Sequence, residues 1–310
     1  MPTRGKKAAA EPVPETVAEP EPPPPPPPEP VVKHISVAAA FHEAQLSFAK
    51  HRKCVEALQA ARAAAKDVAE WDDEYFSCVA CVLPIYKREA AAERIIEFVV
   101  RFATQHGGEV DVDEAFVEGL CFRLLKLANH KDKAVRFRVV QLTGRIMNQM
   151  AEEAEVSDDL FESIEKSMLA RCRDKVPLVR AWALKGLFRL QDPSQPGDAI
   201  TSELLRLMSE DTAKEVRMAA ISTVAPSKHA IRAIMLRTRD SCAEVRLHAL
   251  AVLRDKVEMR WLSISQRVHL LEGALLDRTP SVANACAEML TGGWLRKGCD
   301  NDVLALLRAL

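Results

Sequence analysis

A repeated segment is the feature of this sequence that most restricts how the chain can fold. It reads RDKVPLVRAWALKGLFRLQDP, EDTAKEVRMAAISTVAP, RDSCAEVRLHALAVLRD and LDRTPSVANACAEMLTG, and a related copy is centred on Val135. In the four full copies an Asp lies five residues before a Val, and successive valines lie about 29 to 44 residues apart. Periods of this size are typical of repeat proteins, in which each repeat is one small unit of secondary structure.

The residues that follow each valine predict an α-helix. Apolar or small side chains fall at offsets drawn from three, four, seven, eight and eleven, which places them on one helical stripe. A second amphipathic stretch precedes each Asp, as in LFESIEKSMLARC and AITSELLRLMSE. Two capping patterns and two prolines mark predicted helix starts: Thr212 with Glu215, Ser241 with Glu244, Pro177 and Pro280. Each repeat is therefore predicted to be helix, short turn, helix.

These units predict an all-α fold, a HEAT-type α-solenoid of stacked antiparallel helix pairs over residues 34–310. One helix pair cannot bury its apolar stripe alone, so stacked neighbours must supply a core that runs along the array. Only 5% of residues are aromatic, and we find no alternating run that predicts a strand. Residues 1–33 contain EPEPPPPPPPEP and are predicted to be a disordered Pro-rich tail, because proline cannot donate to a helix or a sheet.

The repeated Asp and Arg resemble the HEAT signature, in which a turn Asp meets an Arg of an adjacent repeat. They lie six residues apart in three copies: Asp174 and Arg180, Asp211 and Arg217, Asp240 and Arg246. We interpret these six residues as a structural ladder. The copy at Val135 keeps Arg136 but has His130 in the Asp position. The last copy has Asp277 but Ala283, so the ladder is expected to end there.

No pattern in the sequence predicts an enzyme, a cofactor or a metal site. Cys78 and Cys81 form a single C-x-x-C with no second pair, so we expect buried thiols rather than a zinc site, which needs four ligands. The eight histidines are dispersed, and neither a serine elbow nor a Gly-rich phosphate loop is present. No apolar run approaches about 18 residues, so no membrane span is expected.

Charge is distributed unevenly along a chain whose formal net charge is −1. Residues 36–170 carry six more acidic than basic residues, and residues 171–260 carry six more basic than acidic residues. Basic residues recurring once per repeat at the turns would form a stripe that suits a phosphate backbone, read without base sequence. Alternatively, the same basic residues form a solvated face with local ion pairs. The charge distribution alone does not distinguish a phosphate-binding stripe from such a face.

Five segments, some of which overlap the repeats, resemble the condensin complex G subunit family. They are PIYKREAAAERIIEFVVRFAT, KAVRFRVVQLTGRIMNQM, RCRDKVPLVRAWALKGLFRLQDP, VAPSKHAIRAIMLRTRD and DKVEMRWLSISQRVHLLEGALLDRTPSV, which occur in the order found in that family. The resemblance covers roughly residues 35–300. It implies a non-catalytic HEAT subunit that binds the kleisin subunit, holds double-stranded DNA in a basic groove, and meets the SMC subunits indirectly through the complex. The implied location is the nucleus and mitotic chromosomes, with the cytoplasm outside mitosis left open.

The resemblance also implies six DNA-facing candidates: Arg62, Lys66, Arg136, Arg138, Arg171 and Arg173. Arg136 has the ladder as a competing role. Arg138 is the cleaner candidate, although offset three on its own helical stripe leaves a buried position open. Members of that family are much longer, so this chain is expected to be truncated at the C-terminus. The alternative function is a generic HEAT adaptor that binds peptides, such as a transport receptor or a phosphatase scaffold.

Overall fold

The computed structural model describes residues 35–105, 113–152, 154, 156–195 and 197–310. The Pro-rich segment of residues 1–33 lies outside the described residues. Within these ranges the chain forms fifteen α-helices and no strand, which confirms the predicted all-α fold. The helices are α1 Val37–Leu46, α2 His51–Ala63, α3 Val68–Ala80, α4 Ala90–Thr104, α5 Glu114–Lys126, α6 Lys133–Gln149, α7 Asp158–Arg171, α8 Pro177–Gly186, α9 Ala199–Glu210, α10 Lys214–Thr223, α11 Lys228–Arg237, α12 Ala243–Lys256, α13 Ile264–Leu275, α14 Pro280–Glu288 and α15 Val303–Ala309.

The helices stack as antiparallel pairs within one unit, His34–Leu310. Helices α4, α6, α8, α10, α12 and α14 form a row in which each packs against the next. Helices α5, α7, α9, α11 and α13 each pack on the second helix of their own pair. This is the predicted solenoid of stacked helix pairs. A ten-residue π-helix, Met289–Gly298, directly follows α14.

The core runs along the array, as the repeat pattern predicts. The five valines that define the repeats are all buried: Val135, Val179, Val216, Val245 and Val282. Apolar side chains at the predicted offsets, such as Leu142 and Leu187, are fully buried as well. Each pair therefore covers the apolar stripe of its neighbour, because no single pair encloses its own.

The helix starts differ from the prediction at two repeats. Helices α10 and α12 have no side-chain cap at their starts, so the capping boxes predicted at Thr212 and Ser241 do not form. The carboxylate of Asp211 instead accepts the N–H of Ala213 at 2.8 Å, and Asp240 makes the equivalent bond at its own turn. In both repeats the turn Asp therefore bonds the N–H of the N-cap residue of the helix, which is an Asx-type turn.

Two glycines allow α6 and α8 to approach closely. A Cβ built on Gly144 would lie 3.0 Å from the Cα of Gly186, which is tighter than nine in ten real Cβ contacts. Both glycines are buried within their helices. A glycine in a helix interior costs up to about 1 kcal/mol relative to alanine, and the close packing of two neighbouring repeats offsets that cost.

Candidate nucleic-acid interface

Four arginine–aspartate pairs connect consecutive turns between first and second helices. In each pair the Nε and Nη2 atoms of the Arg donate to both carboxylate oxygens of the next repeat's Asp, at 2.7 to 3.1 Å. The pairs are Arg136–Asp174, Arg180–Asp211, Arg217–Asp240 and Arg246–Asp277. Because every pair joins one turn to the next, the five turns lie along one edge of the array. We call it the ladder edge.

Each ladder arginine also fixes the turn of its own repeat. Arg217 uses its remaining Nη1 to donate to the backbone oxygens of Asp211 and Thr212, at 2.8 and 3.1 Å. Its partner Asp240 accepts the backbone N–H of Cys242 at 2.9 Å. Both residues are buried, with 8% and 7% of their surface exposed. The guanidinium group of Arg217 is therefore paired inside the protein and is not available to a ligand at the surface.

Two ladder carboxylates, Asp174 and Asp240, are held in their charged form. Burial alone would raise the pKa of Asp174, but hydrogen bonds from Arg136 and from the N–H of Val176 outweigh burial and lower that pKa. Burial opposes ionisation of Asp240 in the same way, and Arg217 outweighs it and lowers the pKa of Asp240. Charge-assisted bidentate pairs of this kind are the strong ones among protein hydrogen bonds.

The structure does not place Arg138 at the surface and therefore gives no support to its prediction as a DNA contact. Its side chain is fully buried, 0% exposed, between α6 and α4. It donates to the backbone oxygens of Ile85 and Lys87 and to the side chains of Glu93 and Gln141. The position at offset three on the helical stripe was the sequence signal for burial.

Arg62 and Lys66 lie far from the ladder edge. Arg62 pairs with Asp72 and with Asp113, and its side chain is only 15% exposed. Asp113 caps the start of α5, and the 13-residue length of that helix puts the ladder edge about 20 Å away. Lys66 is exposed in the connection between α2 and α3. The six candidates therefore do not converge on one surface.

Of the remaining candidates, only Arg173 is free to meet a ligand. Arg136 and Arg171 both donate to Asp174, and their side chains are 13% and 19% exposed. Arg173 is 77% exposed, and its guanidinium lies 3.8 Å from the carboxylate of Glu203. Arg173 therefore remains a candidate contact, whereas Arg136 and Arg171 stabilise the ladder turn.

Exposed cations lie beside the ladder on three consecutive turns. Lys133 extends over the ring of Tyr86 at 4.9 Å, which joins the α3–α4 loop to the α5–α6 turn. The Arg136–Asp174 pair joins the α5–α6 turn to the α7–α8 turn. We define the basic ridge as the exposed residues Lys87, Arg88, Lys131, Lys133, Arg173 and Lys175.

The basic ridge carries little opposing charge. Apart from the Arg173 contact, no described carboxylate lies within ion-pair distance of its six side chains. The exposed Asp132 lies between Lys131 and Lys133 and caps α6 through the N–H of Ala134. At the α9–α10 turn the ridge ends, because Lys214 is paired with Glu244. The sequence pattern predicted basic residues at the turns between repeats, but it did not mark Lys87 and Arg88. The one feature that could have marked them is a Lys-Arg pair just before a predicted helix.

Other kinds of site find no support in the part of the chain that the structure describes. No group of three or more metal-ligating side chains occurs there. None of the helices in the described ranges is long and apolar enough to cross a membrane. Cys81 is exposed and Cys78 half-buried, so the expectation that both thiols are buried is wrong for Cys81.

Comparisons with known proteins converge on one family. No protein-family model matches the chain. Condensin complex subunit 3 of Homo sapiens is 38% identical over 282 residues, which cover 89% of this chain and 28% of the human protein. Condensin complex subunit 3 of Xenopus laevis is 36% identical over 285 residues, covering 90% of this chain and 28% of that protein.

A solved structure agrees with these relatives. The crystal structure of the S. pombe condensin Cnd3-Cnd2 subcomplex matches with a TM-score of 0.78 and 30% identity, over 89% of this chain and 35% of that chain. None of these relatives is named as an enzyme, and this chain spans less than a third of the length of the curated ones. The helical array described here therefore belongs to the condensin complex subunit 3 family, which its sequence motifs resemble.

Proposed function

We propose that this chain is part of a non-catalytic condensin subunit that binds double-stranded DNA without sequence preference and supports mitotic chromosome condensation. The observation that carries the proposal is the basic ridge, six exposed cations on three consecutive turns of one edge. Neighbouring helices pack about 8–10 Å apart, so three turns extend over about 20 Å. A DNA strand carries a phosphate about every 3.4 Å of helix axis, so about six phosphates of one strand lie within that length, and those on the near side can meet the ridge.

The chemistry of the ridge suits phosphates rather than base edges. Four of its six side chains are lysines, whose ammonium groups act as point charges on flexible stems. Bidentate recognition of a base edge instead uses the planar guanidinium group of an arginine. The arginines with well-fixed forks are committed to the ladder. The ridge is therefore expected to hold the sugar–phosphate backbone and to discriminate little between sequences.

We also propose a protein partner of the kleisin type. The solved relative was crystallised as a Cnd3-Cnd2 subcomplex, so Cnd3 assembles with Cnd2 in that crystal. We extend that pairing to this chain, with contact to the SMC subunits only through the assembled complex. Nuclear and chromosomal localisation follows from the same membership.

The test is duplex DNA binding by the full 310-residue chain as a function of salt, with and without the kleisin partner. Arg173→Asp with Lys175→Asp should weaken binding to unrelated duplex sequences equally and reduce the log–log salt slope by about 1.8, since each lost phosphate contact contributes about 0.9. The matched control is Lys228→Asp with Arg232→Asp, a double reversal of exposed residues at the start of α11, on the opposite edge.

Three results would overturn the proposal. Unchanged affinity of the ridge variant at low salt would remove the ridge as the contact surface. Equal weakening by the control pair would indicate a diffuse charge effect. Little duplex binding at any salt, with or without the partner, would favour the alternative, a HEAT adaptor that binds peptides.

A further inference from the structure

We propose that Arg138 is a positioning residue that holds the α3–α4 loop so that Lys87 and Arg88 join the basic ridge. The proposal rests on the proposed DNA-binding function and deepens it. Arg138 contributes no charge to the surface, because its side chain is fully buried. Its role would be to determine where two other cations lie.

The guanidinium contacts the loop at two backbone oxygens. Its Nε donates to the oxygen of Ile85 at 2.8 Å, and its Nη2 donates to the oxygen of Lys87 at 3.2 Å. Its Nη1 donates to Glu93 in the first turn of α4 at 2.8 Å and to Gln141 on its own helix at 2.7 Å. One side chain of α6 thus fixes the loop and the helix that follows it.

These acceptors explain why an arginine is buried here. Packing between α6 and α4 could be provided by an apolar side chain of similar volume, often at no loss of stability. Only a planar group with several donors can reach two loop oxygens and a carboxylate together. The buried charge is therefore best explained by what it does to the loop rather than by the stability it adds.

A second contact orients the same loop from the same helix. Tyr86 lies between the two anchored backbone oxygens, and its ring packs edge-on against Phe137 at 5.6 Å between centroids. The ammonium group of Lys133 lies over the Tyr86 ring, 4.9 Å from its centroid. The loop is thereby aligned with the α5–α6 turn, where Lys131 and Lys133 carry the ridge onward.

The experiment compares three variants of the full chain in duplex binding across salt concentrations. Arg138→Met should reduce the salt slope by about 1.8, the loss expected for two phosphate contacts, and should lower affinity by about eightfold per contact near 0.1 M salt. Lys87→Ala with Arg88→Ala should give the same reduction. The triple variant should show no further loss, because the released loop and the neutralised loop lack the same two contacts.

A matched control separates positioning from general destabilisation. Arg145 lies on the same helix, is largely buried and pairs with Glu97 of α4, but does not contact the loop. Arg145→Met should lower thermal stability and leave the salt slope unchanged. In the loop, the N–H of Ile85 donates to the oxygen of Val82 and the N–H of Glu89 donates to the oxygen of Lys87. Hydrogen exchange at these two amides should quicken in Arg138→Met and keep its wild-type rate in Arg145→Met.

The positioning role of Arg138 can be tested even if one variant fails to fold. If Arg138→Met does not fold, Arg138→Lys replaces it. A single ammonium cannot make all four bonds, so an intermediate slope with faster loop exchange is expected. Wild-type slope in a folded Arg138→Met, or additive losses in the triple variant, would overturn the positioning role. Absence of duplex binding by the wild-type chain would instead refute the proposed function, so the two failures are distinct.

Discussion

Replacing Asp240 with alanine tests whether the ladder stabilises the array. Asp240 accepts two hydrogen bonds from Arg217, at 2.8 and 2.9 Å, and one from the N–H of Cys242. Its side chain is 3% exposed, and that of Arg217 is 10% exposed. In the variant Arg217 keeps only its bonds to backbone oxygens, so its buried charge loses its counterion.

The expected loss in the free energy of unfolding is about 3–5 kcal/mol, the cost of removing one partner from a buried ion pair. Loss of the turn hydrogen bond alone would cost only about 1 kcal/mol. An exposed pair provides the control. Asp255 pairs with Arg254, but the two side chains are 59% and 36% exposed, so Asp255→Ala should cost less than about 1 kcal/mol.

Urea unfolding followed by circular dichroism measures both variants, and a double-mutant cycle with Arg217→Ala isolates the pair. Coupling between Asp240 and Arg217 should exceed about 1 kcal/mol, while the duplex salt slope stays at its wild-type value. Equal losses in Asp240→Ala and Asp255→Ala would refute the reasoning. So would a selective loss of DNA binding at unchanged stability, which would move Asp240 from the scaffold to the interface.

Three further outcomes follow from packing, thiol burial and proton binding. Gly144→Ala should destabilise the chain to urea by about 1–3 kcal/mol, because the new Cβ would lie 3.0 Å from the backbone of α8. Gly292 has open space around it, so Gly292→Ala should change the stability to urea little. Burial raises the pKa of Cys172 to about 12, so iodoacetamide at pH 8 should modify the exposed Cys81 and spare Cys172 until urea unfolds the chain, as mass spectrometry can check. The pKa of Asp240 is lower in the folded chain than in the unfolded chain, where it is about 3.9. Ionised Asp240 therefore stabilises the fold above about pH 4, and this stabilisation is lost as the pH falls through the folded-state pKa. The urea midpoint should accordingly fall below about pH 4, and it should fall less steeply in Asp240→Asn.

The repeat architecture could be predicted from the sequence because burial leaves a periodic trace. Each valine and the apolar side chains after it recur at helical spacing, and that pattern depends only on local chain geometry. The Asp–Arg spacing was readable for the same reason. Helix starts were less predictable. The turn Asp and the Thr or Ser that follows it can each bond a backbone N–H at the helix start, and the three-dimensional turn decides which of them does so.

The candidate site was less predictable, because it depends on atoms that are distant in sequence. Arg138 is buried because the acceptors for its guanidinium come from residues 45 to 53 positions earlier in the chain. Lys66 and Arg173 are both exposed, but they lie at opposite ends of the helix pairs, and one-dimensional spacing does not record that separation. Lys87 and Arg88 had no repeat pattern to mark them, since their loop follows an irregular turn.

The net charge of a segment does not show where the exposed, unpaired cations lie, because pairing depends on residues that are distant in sequence. Residues 171–260 hold a surplus of six basic residues, but three arginines there, Arg180, Arg217 and Arg246, are committed to ladder carboxylates. Residues 36–170 have a surplus of six acidic residues, yet they supply four of the six cations of the basic ridge. A polyanion responds to unpaired charge on one surface, not to the sum over a segment. The strength of the proposed DNA contact at this edge therefore depends on which cations the ladder leaves free, and those lie mainly in the more acidic part of the chain.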